Sequence, residues 1–398
     1  MIEVELATSF RYLVPATRIH AGPGALSQVG TEAERLGSQR AFILCGGSVA
    51  RETDLLDQIR QSLGHRYAGS FSGVRKESPL PAVEACVAAA REAGADLLIA
   101  VGGGSAVVTT RAAVILLAEA GSAHDLCTQY PPGKPPVSPR LMRPKLPNIS
   151  VLTTPTTAAS AGGGAVRDPA QRRRLELFDP KSRPAAVILD PAALGTAPLG
   201  LYLNTAVTTL VTTVEGLLCP GVNGFSCGDL AQALALSLEY LPKLVRRPDD
   251  SSVRIQLAVA SLLRSRAAEA LPGSGHGIAT GLVHALQGRY DHFPQGHAAA
   301  AVLGPGMRFT GVVPAPGHPN LTAALGVGRE GSEGIAMAAS AVTDLLRDLG
   351  VPVRLRDLQI PQSDLEAVAQ DAMGDFFVRI NPRPVNAQEA LTLLREAW

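Results

Sequence analysis

The sequence predicts two domains of different class: an α/β domain with a parallel sheet at residues 1–190, and an all-helical domain at residues 191–398. A chain of 398 residues is longer than one ordinary hydrophobic core requires. In the first half, short apolar runs alternate with helical patterns, which is typical of a parallel sheet with right-handed crossovers. In the second half the patterns are long and helix-periodic, and we find no convincing strand.

Four strands are predicted in the first domain. They are "AFILCGG" (41–47), "DLLIAVGGGS" (96–105), "NISVLTTPTT" (148–157) and "AAVILDP" (185–191). Helices are predicted over "SVARETDLLDQIRQSLG" (48–64), over "LPAVEACVAAAREAGA" (80–95) and directly after the glycines at 102–104. Ligands of such sheets bind at the carboxyl ends of the strands, which is where these glycines fall.

The second domain is predicted to be a helical bundle. Its helices include "CGDLAQALALSLEYLPKLV" (227–245) and "SEGIAMAASAVTDLLRDLG" (332–350). The Pro-rich stretch "YPPGKPPVSPRLMRPKLP" (130–147) is predicted to be a surface loop of the first domain, and "RRR" (172–174) a solvated hairpin face.

The composition excludes several classes of protein. With 46% hydrophobic and 18% charged residues the chain is not a disordered polyelectrolyte, and its net charge of +1 gives no reason to expect nucleic acid or a membrane as partner. No run of about 18 apolar residues and no signal peptide occurs. Five widely spaced cysteines indicate reduced thiols, so we expect a soluble cytoplasmic protein.

The stretch "VGGGSAVV" places three glycines between a strand and a helix. Glycines permit a close approach of the backbone, and a helix N-terminus offers unpaired N–H groups to a pyrophosphate. The alternative is a tight strand-to-helix turn with no ligand.

Several motifs together resemble one family. "GGGS" (102–105), "TTPTTAASAGG" (153–163), "VILDP" (187–191) and "NPRPVNAQEALTLLREAW" (381–398) occur in the order seen in the iron-containing (group III) alcohol dehydrogenases, and "FRYLVPATRIHAGPGAL" (10–26) resembles that family's first strand pair. The start and the ending look most like the maleylacetate reductase branch. The resemblance implies the dehydroquinate synthase-like architecture of that family, an NAD(P)-dependent enzyme and a homodimer.

The resemblance also implies the cofactor-binding residues. Gly102, Gly103, Gly104 and Ser105 would hold the pyrophosphate, and Thr153, Thr154 and Thr157 would lie along the nucleotide and its nicotinamide ribose.

The turn after the first predicted strand bears on the choice of nucleotide. Many relatives have an Asp there that binds the adenosine ribose, whereas this chain has Gly46, followed by Gly47, Ser48 and, nearby, Arg51. A carboxylate would repel a 2′-phosphate, so its absence favours NADP(H) over NAD(H). The alternative is a plain turn at Gly46 and Gly47.

The chain departs from the family at the metal site. The relatives' Asp and His ligands on one helix match Thr208 and Thr212, ahead of Glu215, and the third ligand matches Thr280. The fourth position falls within 295–297, "QGH". Neutral hydroxyls are weak donors for divalent metals, so no metal is expected.

Histidines offer little replacement for these ligands. His276, His284 and His292 are spaced by eight residues, which turns successive side chains roughly 80° apart on a helix, and His297 would lack partner ligands. A new metal site is therefore disfavoured.

Two further side chains are candidates for catalysis. His284 matches a pocket histidine that is not a ligand in relatives, so it is a candidate proton donor or relay, and the alternative is a structural histidine. Where relatives usually have an Asp and a Lys after the glycines, this chain has Val108 and Arg111. Arg111 is a candidate to bind a substrate carboxylate or enolate oxygen, and the alternative is a phosphate or ribose contact.

The predicted function is a metal-independent NAD(P)H-dependent oxidoreductase acting on a carbonyl or an activated C=C. Thr208, Thr212, Thr280, His284 and Arg111 would polarise the acceptor. Because few charged residues occur in the predicted pocket, the expected substrate is a small, fairly apolar molecule, such as a biosynthetic intermediate. One alternative is a non-redox enzyme, a cyclase, lyase or isomerase, with a vestigial or structural nucleotide site. Another is a non-catalytic scaffold, which the intact glycines disfavour.

Overall fold

A computed structural model describes residues 5–10, 12, 16–131, 136–171 and 173–398. The chain forms two compact units. An α/β unit comprises Pro15–Pro198, and a helical unit comprises Leu199–Trp398 with the N-terminal segment 1–14. Parts of three predicted features lie outside the described residues: 11 and 13–15 of the first strand pair, 132–135 of the Pro-rich loop, and 172 of "RRR".

The described part of the α/β unit has eight strands. They are β1 (Arg18–Ala21), β2 (Ala41–Gly46), β3 (Tyr67–Val74), β4 (Leu97–Gly102), β5 (Asn148–Leu152), β6 (Gly163–Asp168), β7 (Arg173–Phe178) and β8 (Ala186–Leu189). Six of them form one parallel sheet in the order β1-β8-β5-β4-β2-β3, and β6 and β7 form an antiparallel pair. The parallel sheet confirms the predicted fold class.

Seven α-helices belong to the described part of this unit. They are α1 (Gln28–Arg35), α2 (Gly47–Glu52), α3 (Leu55–Leu63), α4 (Leu80–Glu92), α5 (Gly104–Ala118), α6 (Ala123–Leu126) and α7 (Pro191–Leu194). All residues of β4, β5 and β8 are buried, which explains why these strands are continuous apolar runs rather than alternating ones.

The order of the strands brings three strand ends together. β2, β4 and β5 are neighbours and parallel, so their carboxyl ends lie at one edge of the sheet. The register pairs Cys45 with Val101 and Gly102 with Leu152. The chain segments after Gly46, Gly102 and Leu152 therefore leave the sheet side by side, and we call them the strand-end edge.

Three features differ from the predicted elements. β3 ("YAGSFSGV") is an edge strand rich in Gly and Ser, so it lacks the apolar pattern of a buried strand. The hairpin of β6 and β7 buries fewer than half of its residues, among them Val166, Leu175 and Leu177, so it has no continuous apolar run. The helix predicted over 48–64 is two helices, since Thr53 is extended and its Oγ1 donates to the Val49 carbonyl at 2.7 Å.

The helical unit has ten α-helices in its described part and no strand. They are α8 (Leu199–Leu217), α9 (Gly224–Arg246), α10 (Ser251–Ala267), α11 (Ile278–Arg289), α12 (Gln295–Thr310), α13 (His318–Ala324), α14 (Gly331–Asp348), α15 (Leu365–Ala372), α16 (Phe376–Arg379) and α17 (Ala387–Ala397). None of the described helices is long and apolar enough to cross a membrane. The five cysteines are buried free thiols.

The units divide the chain differently from the predicted 1–190 and 191–398. The described residues of segment 1–14 contact α9 in the helical unit: the ring of Tyr12 stacks on Phe225 with centroids 5.0 Å apart, and its hydroxyl donates to Asp229. At the other end the α/β unit extends to Pro198. The Asp190 carboxylate accepts from the backbone N–H groups of Leu26 and Ala192, which ties the start of α7 to the α/β unit.

His318, at the start of α13, is expected to reduce stability in acid. Burial lowers its pKa to about 4 from an ordinary value near 6.5. Because the folded value is the lower one, the stabilisation is complete above about pH 6.5 and is lost as the pH falls towards 4, by up to about 3 kcal/mol. His318→Phe keeps a ring but cannot titrate, so its free energy of unfolding should fall less between pH 7 and pH 4.5.

Urea unfolding at several pH values measures this difference. The control is His65→Phe, at an exposed histidine. If the free energy of unfolding falls equally steeply with pH in the wild type and in His318→Phe, the loss of stability in acid is not due to His318.

Candidate functional site

In the glycine turn after β4, other groups can approach the backbone closely. Gly102 has φ +150°, and a Cβ at Gly103 would lie 2.6 Å from Thr154 Oγ1. Gly103 precedes α5, whose N-terminus has no side-chain cap. Ala106 and Val107 donate their N–H groups to the Gly103 carbonyl, so the N–H groups of Gly104 and Ser105 are the ones that this 15-residue helix offers to an anion such as a pyrophosphate.

The threonines after β5 lie against this turn. The Thr153 backbone N–H donates to the Gly102 carbonyl at 3.1 Å. Thr154 is buried, and its Oγ1 has no hydrogen-bond partner within the described residues. A buried hydroxyl without a partner costs free energy, and a nucleotide hydroxyl or phosphate oxygen would satisfy it. The strand-end edge thus fits a nucleotide. Thr157 is partly exposed in the same segment.

Ser105 contacts the loop after β3. Its Oγ accepts from the Glu77 N–H at 3.2 Å, and its carbonyl accepts from Ser78 Oγ at 3.0 Å. Glu77 and Ser78 have positive φ angles of 62° and 48°, which is uncommon outside glycine. The Ser105 side chain therefore braces a strained loop at the first turn of α5, a contact that the sequence did not predict.

The turn after β2 places a cation beside Gly47. Gly46 ends the strand, and Gly47 begins α2. Arg51, in the last turn of α2, folds back so that its Nη1 lies 2.7 Å from where a Cβ on Gly47 would be. Ser48 and Arg51 are both exposed. The guanidinium is thus held beside the predicted nucleotide turn.

Arg111 contacts the segment that follows β5. It is buried in α5, and its Nη1 donates to the carbonyls of Ala158 and Ala161, the latter at 2.7 Å. The guanidinium therefore holds the 158–161 segment, a contact that the sequence did not predict because it does not specify the side-chain direction. A contact of Arg111 with a substrate oxygen, a phosphate or a ribose stays a prediction.

Thr208 and Thr212 lie one turn apart on α8. Thr208 Oγ1 donates to the Asn204 carbonyl and Thr212 Oγ1 to the Thr208 carbonyl, each at 3.0 Å. Such bonds to the carbonyl four residues earlier are a common way for a helix to satisfy a buried threonine.

Thr280 is bound by a buried carboxyl group. Its N–H donates to Glu215 Oε1 at 3.0 Å, and its Oγ1 donates to Glu215 Oε2. Burial raises the pKa of Glu215, against these hydrogen bonds and the positive charge of Arg264. The Arg264 guanidinium is itself buried and donates to the Thr212 and Ser274 carbonyls. The contact between Glu215 and Thr280 was not predicted.

The donors at the matched ligand positions do not fit a metal ion. Thr208, Thr212 and Thr280 supply neutral hydroxyls that already donate to protein acceptors. Glu215, the nearest carboxyl group, is occupied by Thr280. Within the described residues, no group of three or more His, Cys, Asp or Glu side chains is arranged to hold a metal. Iron and zinc prefer carboxylate or imidazole donors.

His284 forms a pair with a carboxylate. It follows Thr280 by one helical turn on α11, and its Nδ1 lies 2.9 Å from Asp375 Oδ2. The other oxygen of Asp375 accepts from the Phe377 N–H at 2.8 Å and caps α16. The sequence missed Asp375, which is 91 residues from His284, although an Asp before "FFVR" is a pattern for a helix N-terminus.

The other three candidate histidines lie on different elements and have different contacts. His292 contacts the Leu358 carbonyl at 3.0 Å. His297 lies in the first turn of α12, which contacts α8 through a bond from the Gly296 N–H to Asn204 Oδ1. Burial lowers the pKa of His297. His276 stacks on the Phe377 ring with centroids 4.6 Å apart.

Comparison with known proteins shows the family. The profile "Iron-containing alcohol dehydrogenase" matches residues 16–191, and "Fe-containing alcohol dehydrogenase family, C-terminal" matches residues 203–398. The chain belongs to the iron-containing alcohol dehydrogenase family. The resemblance read from the motifs is confirmed, and the protein is therefore a member of a family of nicotinamide-dependent oxidoreductases.

Relatives of this iron-containing alcohol dehydrogenase family member align over nearly their whole length. The chain is 27% identical to a lactaldehyde reductase of Escherichia coli, covering 95% of this chain and 97% of the relative. It is 25% identical to an NAD-dependent methanol dehydrogenase of Bacillus methanolicus (97% and 99%) and 26% identical to maleylacetate reductase 1 of Cupriavidus pinatubonensis (97% and 96%).

Solved structures show the same fold. A 1,3-propanediol oxidoreductase has a TM-score of 0.88 at 24% identity, covering 98% of this chain and 100% of that one. A maleylacetate reductase from Agrobacterium tumefaciens has a TM-score of 0.78 at 21% identity, covering 98% and 99%.

Thr154→Val tests the nucleotide site with little change of shape. Removing a buried hydroxyl that has no partner should leave stability unchanged or raise it, while the affinity for NADPH should fall about fivefold to tenfold because a hydrogen bond is lost. Nicotinamide fluorescence and thermal unfolding measure the two effects.

The matched control is Thr110→Val on α5, because Thr110 Oγ1 already donates to the Ala106 carbonyl at 2.8 Å. If both variants bind NADPH as the wild type does, Thr154 does not contact the nucleotide.

Proposed function

We propose that this protein is a metal-independent NAD(P)H-dependent reductase of a carbonyl or an activated C=C in a small, fairly apolar molecule. The observation that supports metal independence is the state of Thr208, Thr212 and Thr280. Each stands at a position matched to a metal ligand of relatives, and each hydroxyl donates to a protein acceptor. Family membership supports the oxidoreductase activity.

The strand-end edge is the proposed nucleotide site. Gly102, Gly103 and Gly104 allow the pyrophosphate to approach the N-terminus of α5, and Thr154 Oγ1 gains a partner. Thr153 and Thr157 would lie along the nucleotide. When bound, the dihydronicotinamide supplies the hydride. Arg51 beside Gly46, Gly47 and Ser48 supports a preference for NADP(H), because a guanidinium pairs with a 2′-phosphate.

His284 is the proposed proton donor. Asp375 holds its Nδ1, which fixes the ring and stabilises the imidazolium form, so Nε2 is the nitrogen that delivers the proton. The proton on Nε2 would go to the carbonyl oxygen, which carries the negative charge once the carbon has gained a hydride, and this would complete the alcohol. The histidine then regains a proton from solvent. The threonine hydroxyls can rotate towards the developing charge on the oxygen, since a hydroxyl both donates and accepts.

A non-redox enzyme on the same scaffold is the second candidate. Arg111 and Val108 replace a Lys and an Asp of relatives, and Arg111 is turned inward. Such an enzyme would have a structural nucleotide or none. In either case the proposed assembly is a homodimer and the proposed location is the cytoplasm.

The deciding experiment is NADPH oxidation by metal-stripped protein with aldehydes, ketones, enones and β-keto acids as acceptors. We expect turnover without added metal. His284→Asn should lower kcat by about a hundredfold, the usual contribution of a general acid, with the NADPH dissociation constant unchanged. The matched control is His292→Asn, on the same stretch but bonded to a backbone carbonyl.

Three outcomes would each exclude part of the proposal. Failure to bind NADPH and NADH would exclude the redox function. Activity that appears only with added iron or zinc would exclude metal independence. Unchanged kcat in His284→Asn would exclude its role as proton donor.

Arg51→Ala tests the choice between the two nucleotides. Losing one charged contact to a 2′-phosphate should weaken NADPH binding about tenfold and leave NADH binding unchanged. Fluorescence titrations with both nucleotides measure the two affinities. Arg60→Ala is the control, because Arg60 is exposed on α3 and pairs with Asp57. If the affinities for NADPH and NADH fall equally, Arg51 does not contact the 2′-phosphate.

A further inference from the structure

The loop after β3 lies beside the glycine turn after β2. The two strands are parallel neighbours, and their register pairs Gly46 with Val74, the last residue of each strand. A Cβ on Gly46 would lie 3.8 Å from the Val74 carbonyl oxygen. Because paired strands lie about 4.8 Å apart, the residue after Val74 leaves the sheet close to the turn that begins α2. That residue is Arg75.

The alternation of side chains along β3 bears on the direction of Arg75. Val74 is buried in the hydrophobic cluster that contains Leu44. Val49 of α2 packs on the cluster that contains Ile43, on the opposite face of the sheet. Successive side chains of an extended strand point to opposite faces. We therefore expect the Arg75 side chain on the face that α2 covers.

Two cations without a carboxylate partner belong to these neighbouring segments. Arg51 and Arg75 are both exposed, and neither guanidinium has a hydrogen bond or an ion pair with the residues that the structure describes. Arg60, which is also exposed in this unit, pairs with Asp57 at 3.3 Å. Like charges on adjacent segments repel each other, and an anion between them would remove that repulsion.

The loop that carries Arg75 is fixed to α5. The Ser78 N–H donates to the Arg75 carbonyl at 3.1 Å, which closes a turn. Ser78 is buried, and its Oγ accepts from Thr109 Oγ1 at 3.0 Å. The acidic side chain of this turn, Glu77, pairs with Arg167 at 3.0 Å. The turn is therefore anchored to the helix whose N-terminus is the proposed pyrophosphate position, and Arg167 balances its negative charge.

The charge of a 2′-phosphate requires more than one cation. A phosphate monoester carries a charge of about −1.5 to −2 at pH 7. Arg51 supplies one positive charge, and Arg75 would supply a second from the neighbouring strand end. A guanidinium also binds two phosphate oxygens at once, which fixes the position of the phosphate.

We propose that Arg75 is a specificity-determining residue of the nucleotide site and binds the 2′-phosphate of NADP(H) together with Arg51. This inference rests on the proposed function, because it requires a nucleotide at the strand-end edge. It adds a second guanidinium from a different strand end. The preference for NADP(H) then depends on the pairing of β2 with β3 as well as on the turn after β2.

Calorimetric titration of the full chain with NADPH and NADH tests the proposal. Arg75→Ala should weaken NADPH binding about tenfold and leave NADH binding unchanged, because only NADPH loses a charged contact. Arg75→Lys keeps the charge and should lose less affinity than Arg75→Ala. The double variant Arg51→Ala/Arg75→Ala should bind NADPH no more tightly than NADH.

The matched control is Lys76→Ala, which removes the same charge from the next residue of the same turn. It should bind NADPH as the wild type does. An equal loss in Lys76→Ala and Arg75→Ala would mean that only the general positive charge matters, and this would overturn the proposal. Unchanged NADPH binding in Arg75→Ala, or equal losses for NADPH and NADH, would also overturn it.

Adenosine 2′,5′-bisphosphate separates this proposal from the proposed function. The molecule has the 2′-phosphate but no nicotinamide, so its binding does not depend on hydride transfer. If the wild type and Arg75→Ala bind it equally well, the role of Arg75 is wrong while the nucleotide site stands. If the wild type binds neither this molecule nor NADPH nor NADH, the nucleotide site is wrong and both proposals are overturned. Thermal unfolding should show equal stability of Arg75→Ala and the wild type, since Arg75 is exposed.

Discussion

The carboxyl group of Glu215 is the contact on which the described helical site depends. It is buried on α8, and its two oxygens accept hydrogen bonds from the N–H group and the hydroxyl of Thr280 near the start of α11. A buried carboxyl group requires such partners. That requirement fixes α11 against α8 and thereby orients His284, one turn further along. Because the buried carboxyl group of Glu215 needs its hydrogen bonds, it holds the candidate proton donor His284 in place.

This arrangement also explains how the site exists with threonines where relatives have ligands. A metal ion would bring positive charge, and carboxylates would then be stable beside it. Here burial raises the pKa of Glu215, and Thr208 and Thr212 donate to the carbonyls of their own helix. The two threonine hydroxyls on this helix are thus satisfied by its own backbone. A reductase built this way must stabilise the developing oxygen charge with hydrogen-bond donors and a proton, which is the role assigned to His284.

The sequence predicted the parts of the fold that local pattern determines. Buried parallel strands are continuous apolar runs, so β2, β4, β5 and β8 were found, the first two together with the glycines that end them. β3 was missed because an edge strand does not need an apolar pattern. The candidate site residues were proposed through the family motifs, whereas the contacts of Asp375 and the inward direction of Arg111 were not predicted. Both depend on contacts between residues far apart in the chain, 91 residues in the case of Asp375 and His284.

Thr154 Oγ1 is a buried polar atom at the strand-end edge that has no partner within the described residues. Other buried side-chain atoms share this state, among them Asn223 Nδ2 and His318 Nε2, so the position of the atom carries the argument. Thr154 Oγ1 lies 2.6 Å from where a Cβ on Gly103 would be, beside the uncapped N-terminus of α5. An unsatisfied hydroxyl costs about 1–3 kcal/mol, and at this position a bound nucleotide is the group that would offset that cost.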